Sequence, residues 1–335
     1  MTTHTATIVS KTASTKPTVT EIWVHRNLDI DEVIALWILI NFGKLFFPGV
    51  ESATIHFVDP AMVDSTYEEL LAKGILCVGF GGGPFDEHAE AKRPEDTSAA
   101  SLVATALGVR YSTGVRQQVD YAVEKDHSTA TGKKELALLV KSAFRFLLVK
   151  IDDADERDTK IMDILAAAFI LLDADCAQEK AFEDCALDYA QERNETFFVK
   201  PDGKHLRIVS VISSNPEMQK YCRTENGGYA GVVIQRQKSG HTQIHFDHRQ
   251  VDKDLTARII KLIRITERRN NGCFGHLSCD ELMADKCVEG AECWYYEYDK
   301  RLILNGSLTQ SKPPTSLSRD LIEILVIKAI EGYFA

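Results

Sequence analysis

The sequence predicts an α/β protein, a parallel β-sheet flanked by helices, followed by a smaller α+β domain. Three observations predict it. Strands alternate with amphipathic helices near the N-terminus, an almost wholly helical stretch runs from about Ser98 to Gln191, and strand and turn patterns take over beyond about Asn194. The expected organisation is a disordered tail over residues 1–20, a sheet domain over 21–193 and an α+β domain over 194–335.

The tail, "MTTHTATIVSKTASTKPTVT", is rich in Thr and Ser and has no acid. Lacking arginine and an apolar stripe, it reads as a disordered tail rather than a transit peptide. "EIWVH" then alternates as a strand, a polar turn carries Asp29 and Asp31, and "DEVIALWILINF" continues with helical spacing. "ATIHFVDP" reads as a strand, "VDSTYEELLAKG" as a helix closed by Gly74, and "ILCVGF" as a short apolar strand running into glycines 81–83. Five helical segments follow, the last two being "DTKIMDILAAAFILLDAD" and "AQEKAFEDCALDYAQER". The acidic stretch "DDADERD" ahead of them reads as a solvated turn, because EF-hand ligand spacing and its mid-loop glycine are missing. In the last third, "QRQKSGHTQIHFDH" reads as a hairpin across Ser239-Gly240 and "TARIIKLIRITERRNNG" as an amphipathic helix with a basic end. Ser318 is placed to N-cap a terminal core helix.

With 335 residues, 44% of them hydrophobic and 26% charged, the chain has the composition of a globular protein of two ordinary domains. A formal net charge of −10 argues against wrapping duplex nucleic acid over a broad basic face, and leaves room only for a local groove. Eight cysteines without a CxxC pair suggest reduced thiols and a cytoplasmic setting. Cys273, Cys279, Cys287 and Cys293 crowd near His276, yet their gaps exceed those of structural zinc sites, so they read as incidental thiols. The longest apolar runs are interrupted or too short to span a bilayer, and no membrane partner is expected.

The chemistry concentrates at three expected strand ends, "VHRNLDID", "HFVDP" and "GFGGGPFDEH". Carboxyl ends of neighbouring parallel strands converge on the crevice where open α/β sheets bind ligands. They would bring together His25, Asp29, Asp31, Asp59, Asp86, Glu87 and His88. Such oxygen and nitrogen donors suit Mn²⁺ or Mg²⁺, and two ions would clamp a phosphoryl group. Plainer roles fit the same residues. Asp29 or Asp31 reads equally well as an N-cap, and the glycine run permits a tight turn without the Lys-Ser/Thr ending of a P-loop.

"HRNLDID" resembles the first motif, HxxxDxD, of the DHH phosphoesterase superfamily, and "FDEH" resembles its DHH motif. The stretch from "HFVDPAMV" through "GILCVGFGGGPFDEH" to "SAASLVATALG" is similar to the Myg-type (melanocyte proliferating gene) branch, over roughly residues 20–190. The resemblance implies a hydrolase of nuclease type, an exonuclease-like phosphodiesterase dependent on one or two Mn²⁺ or Mg²⁺ ions. Its substrate would be single-stranded nucleic acid or short oligonucleotides, with small nucleotide phosphates or a purely binding role as alternatives. A homodimer is compatible with it. His25 and Asp29 would hold one metal and Asp31 the second, with Glu87 as a ligating carboxylate in place of an imidazole, and Asp126, or else Asp120, as the last ligand. His88, beside Asp86, would face the phosphate as the catalytic pair. The family's metal-bridging aspartate aligns with Gly79, which has no side chain to bridge with. Arg236, Lys238, His241 and His245 of the hairpin would contact substrate. On this reading Asp31→Ala abolishes hydrolysis with little loss of fold, and Gly79→Asp with Glu87→His raises activity.

Overall fold

The computed structural model describes residues 17–88, 94, 97–127, 135–285, 287–306 and 312–334; most of the expected tail lies outside them. Two compact units, residues 1–179 and 180–335, make up the chain. The fold is mixed α/β, with a three-stranded parallel sheet in the first unit and a six-stranded mixed sheet in the second.

In the first unit β1 (Glu21–His25), β2 (Thr54–Val58) and β3 (Ile75–Cys77) pair in parallel in the order β2-β1-β3. Alternation along β1 sends Ile22 and Val24 into the main core, while Trp23 packs on the other face with Leu70 and Tyr67. Helices cover both faces, as expected for parallel strands. The helices of this unit are α1 (Ile30–Phe42), α2 (Tyr67–Ala72), α3 (Ala99–Ala106), α4 (Val115–His127), α5 (Leu136–Leu147) and α6 (Ala154–Glu192). α1 is buried at every position from Ile30 to Leu39, the two acids Asp31 and Glu32 included. It packs against α3 and α4, and its Trp37 indole donates to Asp173 on α6 at 2.7 Å. Gly74 closes α2 with φ +81°, a left-handed conformation that suits glycine.

α6 corrects two sequence expectations. It is one helix of 39 residues rather than two, because no glycine or proline interrupts it between Ala154 and Glu192. The acidic stretch starts it instead of forming a solvated turn. Asp153 accepts a hydrogen bond from the Glu156 amide at 2.8 Å, and Asp155 and Glu156 lie in the first turn, where the helix dipole favours negative charge. The boundary between the two units falls within this helix, ahead of the strand pattern that begins at Arg193.

In the second unit β4 (Arg193–Val199), β5 (His205–Ile212), β6 (Val232–Arg236), β7 (Thr242–Phe246), β8 (Trp294–Glu297) and β9 (Leu302–Asn305) form a sheet in the order β4-β5-β6-β7-β9-β8. Only the β5–β6 pair is parallel. The expected hairpin is β6–β7, closed by a turn at Gln237–Gly240 in which Gly240 takes φ +91°. The end of α6 packs on this sheet through Cys185 and Tyr189, and α7 (Met218–Arg223), α8 (Lys253–Asn270), α9 (Cys279–Met283) and α10 (Arg319–Phe334) accompany it. α8 and α10 bury Ile260, Ile263, Val326 and Ile330 with Trp294 and Tyr296. Ser318 accepts from the Leu321 amide at 3.2 Å, the expected cap. Among the described residues no helix is long and apolar enough to cross a membrane.

Candidate metal centre

The turn between β1 and α1 is organised by a capping box. Asp29 is the N-cap, its Oδ1 accepting from the amides of Asp31 (2.9 Å) and Glu32 (3.1 Å), while Glu32 Oε2 accepts from the Asp29 amide. Glu32 Oε1 also bonds His25 Nδ1, so one side chain joins the end of β1 to the start of α1. That bond raises the His25 imidazole above its usual range, and burial raises Glu32. The His25 ring lies edge-on to Phe80, with centroids 5.4 Å apart.

Asp31 points the other way, to α3. Its Oδ2 accepts from the Ala99 amide at 2.7 Å and its Oδ1 from Ala100 at 2.9 Å, so it closes the N-terminus of α3 jointly with the cap residue Ser98. Burial pushes its carboxyl up to about 6, against the opposing pull of the Ala100, Ser98 and Ala99 hydrogen bonds. Capping accounts for both aspartates: Asp29 caps α1, and Asp31 caps a helix far along the chain.

Asp31, Glu87 and Asp126 each offer a carboxylate oxygen, and these oxygens all lie within 4.8 Å of one another. Asp31 and Glu87 are buried and Asp126 is half-buried. Among the described residues this is the only such group of His, Cys, Asp or Glu. Each carboxylate oxygen has a second lone pair, so the amide bonds to Asp31 leave it able to ligate. Three oxygen donors of this kind fit one hard divalent cation, Mn²⁺ or Mg²⁺, with solvent filling its remaining positions.

The other expected ligands are committed elsewhere: His25 to Glu32 and Asp29 to its capping box. Asp126 on α4 joins the cluster, whereas Asp120 pairs with Arg110 at 2.7 Å. Asp59 caps the short turn after β2 through the Ala61 amide and is exposed. Asp86 is a turn former, accepting from the amides of Gly82 and His88. His88 is exposed, with Nε2 3.4 Å from Glu87 Oε1. Gly79 has φ +77°, and a Cβ built there would lie 2.8 Å from Glu32 Oε1. The space beside Gly79 is filled by the Glu32 carboxylate, a residue the sequence reading passed over as part of an apolar helix.

A cleft of about 590 Å³ opens beside the cluster. Asp29, Asp31 and Asp126 line one part of it, and Lys141, Phe144 and Arg145 of α5 line another. The α5 residues were missed because their helix reads as simply amphipathic; the available signal was two cations four positions apart.

In the second unit the hairpin residues have structural partners. Arg236 donates to the Leu317 carbonyl at 2.9 Å, and His241 bonds the Lys312 carbonyl through Nε2 and Ser239 through Nδ1, both at 2.9 Å. These bonds tie the hairpin to residues 312–317. Lys238 is exposed. His245 meets Gln243 at 3.1 Å, and burial, aided by Arg223, pushes its imidazole down to about 4. Between pH 6.5 and 4 the unfolded chain therefore holds a proton that the folded chain refuses. Stability is complete above pH 6.5 and falls as pH drops toward 4, by up to about 3 kcal/mol from this residue. Urea titrations at pH 7 and 4.5 should show His245→Asn losing less stability than wild type across that interval. The cysteines are free thiols, and Cys273, Cys279, Cys287 and Cys293 form no ligand group among the described residues.

No protein-family model matches this chain, and no curated protein matches it.

Proposed function

We propose that the first unit is a DHH-like, metal-dependent phosphoesterase acting on single-stranded nucleic acid or short oligonucleotides. The observation that supports it is the convergence of Asp31, Glu87 and Asp126, from α1, the turn after β3 and α4, at the edge of a cleft. Their donor chemistry suits one Mn²⁺ or Mg²⁺ ion, which when bound supplies Lewis-acid stabilisation of a phosphoryl oxygen.

The chain's own residues set up the rest. The Ala99 and Ala100 amides fix both oxygens of Asp31, so its position does not depend on the ion. His88, held through its amide by Asp86 and lying beside Glu87, is placed to neutralise charge on phosphate or pass a proton to a leaving oxygen. Glu32 holds His25 through its ring nitrogen Nδ1.

The test is Mn²⁺ binding, followed by electron paramagnetic resonance, beside cleavage of labelled single-stranded RNA and DNA. Wild type should bind one Mn²⁺ and cleave. Asp126→Asn should weaken Mn²⁺ binding by roughly tenfold or more and lose cleavage in step. Tight Mn²⁺ binding that survives Asp126→Asn would remove the cluster from the reading.

A further inference from the structure

The cleft that Asp29, Asp31 and Asp126 line is also lined by residues of α5. Lys141 and Arg145 are four residues apart, so they stand one turn above the other on the same side of the helix, with Phe144 beside them. Both cations are exposed, the Arg145 guanidinium lies over the Phe146 ring at 5.5 Å, and among the described residues neither has an acidic partner. Lys125, which also lines the cleft, differs in this respect. Its ammonium lies 3.0 Å from Glu124 and 2.7 Å from Glu135, so its charge is already answered. Two cations without a direct acidic partner thus share the cleft lining with Asp29, Asp31 and Asp126, and an anion bound there would answer their charge.

Phe144 is half-buried and packs against the main core, which holds its ring in place at the cleft wall. Leu28, Ile30 and Val140 give the same cleft an apolar floor. A volume of about 590 Å³ is that of a small-molecule site, too small for a duplex. A phosphate needs the cations, and a flat aromatic group needs the ring and floor; a nucleotide supplies both.

We propose that this cleft binds one nucleotide unit, with its phosphate between the carboxylate cluster and the Lys141 and Arg145 side chains and its base against Phe144. The assignment rests on the phosphoesterase reading for the role of the cluster, and it moves substrate recognition from the β6–β7 hairpin to α5. Arg145 is the specificity-bearing cation of the two, since a guanidinium can meet two phosphate oxygens at once. The nucleotide unit is either a free mononucleotide or the terminal residue of a single strand.

The experiment measures two affinities on the same full-length samples. Mn²⁺ binding reads the carboxylates, and titration with AMP, ribose 5-phosphate and a labelled five-residue oligoadenylate in Mn²⁺ reads α5. Lys141→Ala and Arg145→Ala should each weaken the nucleotide ligands about tenfold with Mn²⁺ affinity unchanged. Phe144→Leu should weaken AMP several-fold and leave ribose 5-phosphate unaffected; circular dichroism confirms that this variant folds. Binding of AMP identifies a mononucleotide site, and binding of the oligonucleotide alone identifies a strand end. If nucleotides bind all variants as they bind wild type, or bind none of them while Mn²⁺ is held, the α5 assignment is overturned and the metal reading stands. If Mn²⁺ does not bind but nucleotide does, and Arg145→Ala weakens it about tenfold, the α5 site stands and the phosphoesterase reading falls. Absence of both overturns both.

Discussion

Asp31→Ala should lose Mn²⁺ binding and hydrolysis, and should also destabilise the first unit by about 2–4 kcal/mol. The second effect follows from the bonds at 2.7 and 2.9 Å that its carboxylate accepts from Ala99 and Ala100. Removing it strands two buried amides at the start of α3, where a dipole also favours negative charge. The sequence alone led to the expectation of activity lost with the fold intact, because it places Asp31 in a loop before α1 and gives no sign of a partner 68 residues away. Asp126→Asn is the cleaner ligand variant, and the pair makes a diagnostic comparison. Urea unfolding should separate them by the full cost of the α3 cap, while both should weaken metal binding. Equal stability of the two variants would show that Asp31 does not hold α3.

Gly79→Asp should destabilise the protein by about 2–4 kcal/mol and should not raise activity. On the family resemblance this change restores a metal-bridging carboxylate. The geometry reverses that expectation. The backbone there has φ +77°, which disfavours a side chain, and the site of the new Cβ lies 2.8 Å from the Glu32 carboxylate, itself buried. An aspartate would place a second negative charge against the first with no solvent between them. Gly79→Ala separates the backbone cost from the charge cost. Adding Glu32→Ala to Gly79→Asp should recover part of the loss, since it reopens the space; full additivity of the two changes in thermal unfolding would sink the argument.

The parts of the molecule that local pattern controls were readable in advance. The β1 strand, the helix starting at Ile30, the Gly74 stop, the β6–β7 turn and the Ser318 cap each depend on residues within a few positions of one another. The α6 sequence predicts a turn and two helices because acidic residues mark both loops and helix starts; the bond from the Glu156 amide to Asp153 marks a helix start here. At the candidate site, the family resemblance implied the residues without their division of labour. Five expected ligands fell into two groups: Asp31, Glu87 and Asp126 converge, while His25 and Asp29 are engaged by the capping box of α1. That division turns on Glu32, whose burial and contacts only the folded chain displays. The α5 wall was equally hidden, because a lysine and an arginine on an amphipathic helix look like an ordinary solvated face.

The two amide bonds to Asp31 have a consequence for thermodynamic coupling. If the proposed ion site is real, one carboxylate is shared between it and the first turn of α3, so ion affinity and the order of that helix become linked quantities that must affect each other equally. An ion that draws on the Asp31 oxygens competes with the Ala99 and Ala100 amides for electron density, and a substitution that loosens α3 shifts ion affinity without touching a ligand. On the proposed reading helix α3 would in that sense belong to the metal centre, although it contributes no side chain to the carboxylate cluster.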